Sequence, residues 1–241
     1  MQLYVLDYGL FQVHENGRII GIPGFLIVAG DRVVLVDTGF PARYAADPDG
    51  AARADGLDAF GRVVSLSAEN LPAAQLARAG FAPSDVTHLV LTHTHIDHVG
   101  GIGAFPGATI VVGRAERALE RPLYWEGGTG PEWPEATYLE VERDTQLAPG
   151  IKLLSTPGHS PGHLSLLVRL PRTGPLLLTG DAINRPDELE DRAFRGAWDP
   201  LKARASAERL MQLASSLGAS VIFGHDPEQW PKLRKAPEYY D

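Results

Sequence analysis

A paired signal recurs along this chain: a short apolar run of strand length, then a tight polar motif carrying histidine or aspartate. The runs are Val86 to Leu91, Ile151 to Leu154, Leu176 to Leu178 and Val221 to Phe223. The motifs that follow are His93-Thr94-His95-Ile96-Asp97-His98, Thr156-Pro157-Gly158-His159, Thr179-Gly180-Asp181 and Phe223-Gly224-His225-Asp226. Continuous apolar runs this short read as buried strands, and Thr109 to Val112 and Leu164 to Val168 are two more. Strands of a sheet lie about 5 Å apart, so motifs at one end of neighbouring strands converge in space. Four separated motifs can therefore build one pocket.

The elements between these runs indicate the fold class. Gly24 to Val28 and Val33 to Val36, joined across Ala29-Gly30-Asp31-Arg32, carry a hairpin signal, and the N-terminal third reads as mostly β. The Ala/Asp/Gly/Arg-rich stretch from Ala45 to Gly61 reads as a loop. Leu71, Ala74, Leu76 and Ala79 suit a short helix with Asn70 as N-cap and Gly80 as stop. A longer helix is predicted from Asp199 as N-cap, with Pro200 at its first position and an end at Gly218. Its apolar stripe is Leu201, Leu210, Leu213, Ala214 and Leu217. Amphipathic helices interleaved with strands give a mixed α/β (α+β) sandwich.

Composition narrows the chemistry. With 241 residues, 44% hydrophobic and 22% charged, the chain suits one folded domain spanning 1–241. Thirty acidic against 22 basic side chains give a net charge of −8, with no Lys/Arg run, which argues against nucleic acid and anionic membranes as partners. No stretch of about 18 consecutive apolar residues occurs, and the N-terminus lacks a leader pattern. A cytoplasmic location is expected. There is no cysteine, so thiolate-ligated zinc, iron–sulfur clusters and thiol nucleophiles are excluded. A metal here must be held by His, Asp or Glu.

His93, His95, Asp97, His98, His159, Asp181 and His225 together offer too many donors for one tetrahedral metal and suit two. In an extended segment His93 and His95 project to the same side, while Asp97 and His98 lie where the chain turns, beside Gly100-Gly101. The bend can send the first pair to one cation and the second pair to its neighbour. Two aspartates and a hydroxide leave such a site compensated but still electrophilic, suited to attack on a carbonyl or phosphoryl group. His163 is expected as a hydrogen-bonding partner behind the site, His88 as an inward strand residue and His14 as exposed. Asp37, in Val36-Asp37-Thr38-Gly39, is either a turn residue or a carboxylate that orients a ligand imidazole.

At His93-x-His95-x-Asp97-His98, followed by His159, Asp181 and His225, the sequence resembles the metallo-β-lactamase superfamily. That resemblance implies a four-layer αβ/βα sandwich, with two mixed sheets, helices on both outer faces and a dinuclear metal site at one edge. Carried over by position, it implies His93, His95 and His159 on one metal, Asp97, His98 and His225 on the other, and Asp181 as the bridge. His95 departs from the glutamate of the diiron flavoprotein branch and favours zinc, with iron, manganese or cobalt as alternatives. The filled set of seven departs from the branch that keeps one iron and oxidises persulfides.

Within the superfamily the chain looks most like the N-acyl homoserine lactone lactonases and relatives that open other small lactones. The similarity runs from Val36-Asp37-Thr38-Gly39-Phe40-Pro41 through Leu178-Thr179-Gly180-Asp181-Ala182 and Trp198-Asp199-Pro200 to Pro237-Glu238-Tyr239-Tyr240. It implies a quorum-quenching hydrolase acting on a small-molecule lactone, and it leaves a homodimer open. Attack would come from a metal-bridging hydroxide, with Asp97 orienting it or carrying a proton to the leaving oxygen. Such lactonases carry a tyrosine three residues after the bridging aspartate. Here that place is Asn184, which can donate a hydrogen bond to the carbonyl but cannot act as a phenolic acid.

Phe40, Tyr44, Phe60, Tyr124, Trp125, Trp133, Phe194 and Trp198 are candidates for pocket walls around an acyl chain, against packing of the loops or a dimer contact. The rival readings are a glyoxalase II-type thioester hydrolase, using Lys232, Arg234 and Lys235 for carboxylates, and a metal-binding regulatory protein without turnover. A phosphodiesterase or nuclease lacks a basic track for phosphates.

Overall fold

Side chains two apart on a strand share a face, and in this protein both faces of most strands are apolar, as befits sheets covered on both sides. The computed structural model describes residues 1–125 and 130–241. One sheet is formed by β1 (Gln2–Val13), β2 (Ile19–Ala29), β3 (Arg32–Val36), β4 (Gly61–Ser65), β5 (His88–Val90), β6 (Thr109–Gly113) and β7 (Tyr138–Val141), in the order β4-β1-β2-β3-β5-β6-β7. The other takes β8 (Thr145–Ala148), β9 (Ile151–Ser155), β10 (Leu164–Leu170), β11 (Gly174–Leu178) and β12 (Ser220–Ile222), in the order β12-β11-β10-β9-β8. Both are mixed. In the first, β3, β5, β6 and β7 run parallel and the remaining pairs antiparallel. In the second, only β11 and β12 pair in parallel.

Leu3, Val5, Phe25, Ile27, Val34, Val36 and Val111 meet Ile151, Leu153, Leu164, Leu166, Val168, Leu176 and Leu178 between the sheets. The alternate residues face outward: Leu26, Leu35, Leu89 and Ile110 pack with Leu57 and Leu76 on one side. On the other, Leu154, Leu167 and Leu177 pack with Ala207, Leu210 and Ala214. The result is the expected four-layer α/β sandwich. No described helix is long and apolar enough to cross a membrane.

The helices are α1 (Arg43–Ala46), α2 (Pro48–Asp55), α3 (Pro72–Arg78), α4 (Ile96–Val99), α5 (Arg114–Arg117), α6 (Glu188–Asp191) and α7 (Pro200–Leu217). α7 forms as the sequence predicts: the Asp199 side chain accepts from Lys202 N, Pro200 opens it, and Gly218 closes it at φ 60°. Its buried stripe is Ala203, Ser206, Ala207, Leu210 and Ala214. Leu201 does not belong to that stripe; at about 100° per residue it lies opposite Leu210 and is 82% exposed.

Two further expectations are corrected. The stretch from Ala45 to Gly61 is largely helical, because Asp47 caps Gly50 N, Pro48 opens α2, and Gly56 at φ 71° stops it. A turn at Leu57–Ala59 follows. Asn70 does not cap α3, which starts from Leu71 with Pro72 at its first position. Instead the Asn70 amide accepts from Ser67 N and donates to Asp7 O, closing the preceding turn. β5, β9, β11 and β12 end at one edge of the sandwich, where the loops beyond them meet.

Candidate metal centre

The four motifs converge. His93 follows β5, and His95, in extended conformation, precedes α4, whose first turn carries Asp97 and His98. His159 follows β9, Asp181 follows β11 and His225 follows β12. The nitrogens and carboxylate oxygens fall into overlapping clusters: His93, His95 and His159; His93, His98 and Asp181; Asp97, His98 and His225. Within the first, Nδ1 of His95 lies 3.0 Å from Nε2 of both His93 and His159. Donors around one tetrahedral zinc stand about 3.3 Å apart.

Asp181 faces both groups at once. Its Oδ2 is 3.4 Å from His159 Nε2, while its Oδ1 is 3.4 Å from Nε2 of both His98 and His225. Asp97 Oδ2 is 3.5 Å from the same two nitrogens. Two of these atoms, His98 Nε2 and Asp181 Oδ1, are buried without a hydrogen-bond partner. Buried polar atoms are ordinarily paired, so orphaned donors turned toward one another fit a pair of cations.

Hydrogen bonds behind the site settle which ring nitrogens face it. Asp37 is buried, its Oδ2 accepting from His98 Nδ1 at 2.8 Å and from Thr92 Oγ1 at 2.7 Å. The Thr92 oxygen, its proton already given to Asp37, accepts from His93 Nδ1 at 3.1 Å. One carboxylate thereby fixes two imidazoles with Nε2 inward, so of the two roles open to Asp37 the geometry matches the orienting one. His225 Nδ1 donates to Gly21 O at 2.9 Å. His163, fully buried, takes Asp181 N on its Nε2 at 3.0 Å and gives Nδ1–H to Thr156 Oγ1, the supporting place expected for it. His88 is half-buried beside Thr87, and His14 is exposed.

The electrostatics divide the histidines. Burial pushes His93, His95 and His159 down, His159 to about 3, leaving neutral rings with lone pairs to offer. Burial acts likewise on His98 and His225, but the facing carboxylates prevail: Asp97 and Asp181 hold His98 well above its ordinary value, and Asp181 and Asp97 hold His225 at about 9. Burial would raise Asp97, yet His98 and His225 draw it down to about 2. Asp181 is likewise held far below the usual carboxylate range, by His225, His98 and His159 against its burial. Protons on two histidines balance the two carboxylates where cations would otherwise do so.

A cleft beside the centre is lined by His159, Asp181, Asn184, Glu188, Phe194 and Arg195 among others. Asn184 reaches it, but its Nδ2 points to Glu188 Oε1 at 3.4 Å and its backbone N donates to Glu188 Oε2 at 2.7 Å. The amide expected to donate to a substrate carbonyl is therefore turned to Glu188. Several aromatics expected at the pocket wall belong elsewhere: Phe40, Tyr44 and Tyr124 are buried in the outer core. Trp133 packs beside them and donates Nε1–H to Leu119 O. Trp125 packs against Phe60 at a tilt of 48°, Trp198 is 64% exposed, and Phe194 alone of the eight lies on this cleft. Thr92, Glu188 and the buried Glu116 were not singled out by sequence, since each sits in a stretch that reads as an ordinary strand end or solvated turn.

Residues 22–225 match the metallo-beta-lactamase superfamily, and the chain belongs to that family. It is 34% identical over 228 residues to the N-acyl homoserine lactonase AiiA of Bacillus thuringiensis subsp. kurstaki, covering 92% of this chain and 89% of that one. It is 36% identical over 268 residues to the N-acyl homoserine lactonase AttM of Azorhizobium caulinodans, covering 100% and 99%. A solved N-acyl homoserine lactone hydrolase, with the product N-hexanoyl-L-homoserine bound at its catalytic metal center, superposes with a TM-score of 0.86. That match has 32% identity and covers 99% of this chain and 98% of that one.

Proposed function

We propose that residues 1–241 form a single metal-dependent hydrolase that opens lactone rings, N-acyl homoserine lactones foremost, using a pair of divalent cations, zinc first. The observation that carries this reading is Asp181, whose two oxygens face His159 on one side and His98 with His225 on the other. The likeness to lactonases over nearly the whole chain supplies the substrate class. His93, His95 and His159 would hold one cation, Asp97, His98 and His225 the second, with Asp181 shared. Bound there, the pair supplies polarisation of the ester carbonyl and acidification of water toward neutral pH.

The protein's own side chains do the rest. Asp97 would orient the attacking water and accept its proton on a carboxylate oxygen, from which the ring oxygen can take it as the ester bond breaks. Asp37 keeps Nε2 of His93 and His98 inward. Asn184 and Phe194 flank the cleft where the substrate would lie, with Asn184 tethered to Glu188. The thioester reading finds less support, because Arg234 stacks over Tyr240 and Lys235 over Trp230, spending two of its three basic groups on the C-terminal segment.

A pH-indicator panel tests the proposal: homoserine lactones of short and long acyl chain, other γ- and δ-lactones, S-lactoylglutathione and bis-p-nitrophenyl phosphate, with metal content measured on the same sample. Ring opening of acyl homoserine lactones is expected to dominate. Faster release from the thioester would favour the glyoxalase II class, and metal-loaded protein that opens no ester would favour a regulatory protein.

A further inference from the structure

Glu116 lies in α5, just past β6, and is fully buried. Both of its oxygens are used. Oε1 accepts from Thr94 N at 3.0 Å and Thr94 Oγ1 at 2.8 Å; Oε2 accepts from Ser160 Oγ at 2.9 Å and Gly162 N at 3.0 Å. Thr94 separates His93 from His95, and Ser160 adjoins His159. One carboxylate therefore spans the two loops that carry the three imidazoles of one cluster, although it is not among their donors.

The backbone is shaped to admit this bridge. A Cβ at Gly162 would lie 2.5 Å from Glu116 N, and one at Gly113 would lie 1.9 Å from Gly162 O. Glycine at both positions lets β6, α5 and the His159 loop close to backbone contact. The far side of the first loop is pinned as well: Tyr124 N donates to Thr94 O, Ile96 N donates to Tyr124 O, and Leu123 N donates to Thr94 Oγ1. With the first loop held on that side, Glu116 joins it to the His159 loop through side-chain bonds, alongside the backbone bond from Leu164 N to Thr92 O.

We infer that Glu116 is a positioning residue that sets the spacing of His93, His95 and His159, and thereby selectively fixes the affinity of the cation those three would share. The inference rests on the two-cation reading above. Carboxylates that orient ligands from behind typically contribute 10- to 100-fold in metal affinity. Here one group would act on two loops, and on one cation rather than both.

The test uses metal-stripped full-length protein, titrated with Co2+ and followed by its visible ligand-field bands, with chelator competition for Zn2+. His159→Ala and His225→Ala mark which binding step belongs to which cluster. Glu116→Gln keeps the volume but turns an NH2 group against a backbone N–H of Thr94 or Gly162, neither of which can rotate away. The wild type is expected to take two cations. In Glu116→Gln the step lost in His159→Ala weakens about 10- to 100-fold with an altered Co2+ spectrum, while the step lost in His225→Ala is unchanged. Equal weakening of both steps, or of neither, overturns the inference. A wild type that binds fewer than two cations overturns the two-cation reading itself. If Glu116→Gln does not fold, Ser160→Ala removes one of the four bonds, and the same selective loss, smaller in size, is expected; its absence overturns the inference.

Discussion

Asp37 adopts a left-handed backbone, φ 60°, at the point where the chain leaves β3. Among non-glycine residues, Asp and Asn accept this conformation most readily. Asp37→Asn therefore preserves the turn while replacing one acceptor oxygen with a donor facing Thr92 or His98. Metal affinity is expected to fall about 10- to 100-fold, and the metal-free protein to melt lower as well, because a buried donor is left facing Thr92 or His98; chelator competition and a melting curve measure the two. Asn184 should matter far less. Its amide already faces Glu188, so Asn184→Ala is expected to lower kcat/KM on acyl homoserine lactones by less than about tenfold, the worth of one modest hydrogen bond. A loss of a thousandfold would instead place that amide on the reacting carbonyl.

At the scale of elements, α7 does more than cover a sheet. Its N-terminus is tied to the site, since Trp198 N donates to His159 O and Asp199 N to Gly158 O. Asp199→Ala removes the cap on Lys202 N and should cost about 1 kcal/mol, lowering the melting temperature by about 2–4 °C in a chain of this size. Calorimetry of the metal-loaded protein checks it. This helix was legible because cap, proline and glycine all stand in sequence order. α2 carries the same signals, Asp47, Pro48 and Gly56, but its many small and polar residues mask the short buried face of Ala51 and Ala52. β7 and β8 went unread because both are four residues long and each carries exposed positions, so neither shows a continuous apolar run. The convergence of the seven histidines and aspartates was legible because each sits in a motif just past a β-strand. The groups behind them were not, because what Thr92, Glu116 and Glu188 do depends on contacts across the fold.

For the whole molecule, the charged cluster links folding to pH. His225 rises from 6.5 to about 9 in the fold, so its protonation stabilises the metal-free protein fully below pH 6.5 and ceases to do so as pH climbs through 9. Asp97, lowered from 3.8 to about 2, contributes fully above pH 3.8 and loses that contribution as pH falls through 2. Metal-free protein should therefore melt at progressively lower temperature between pH 6.5 and 9. Cations bound by His98 and His225 would replace the same protons, so the gap in melting temperature between loaded and metal-free protein should widen over that interval. A constant gap would mean that the histidines do not exchange protons for metal.

Lactone opening, followed while zinc is added back to metal-stripped protein, reads out a shared pair of cations. Activity is expected to be absent without metal, to rise with added zinc and to level off at two equivalents per chain. Full activity in the stripped protein, or a plateau at a single equivalent, would contradict a pair of cations shared across Asp181.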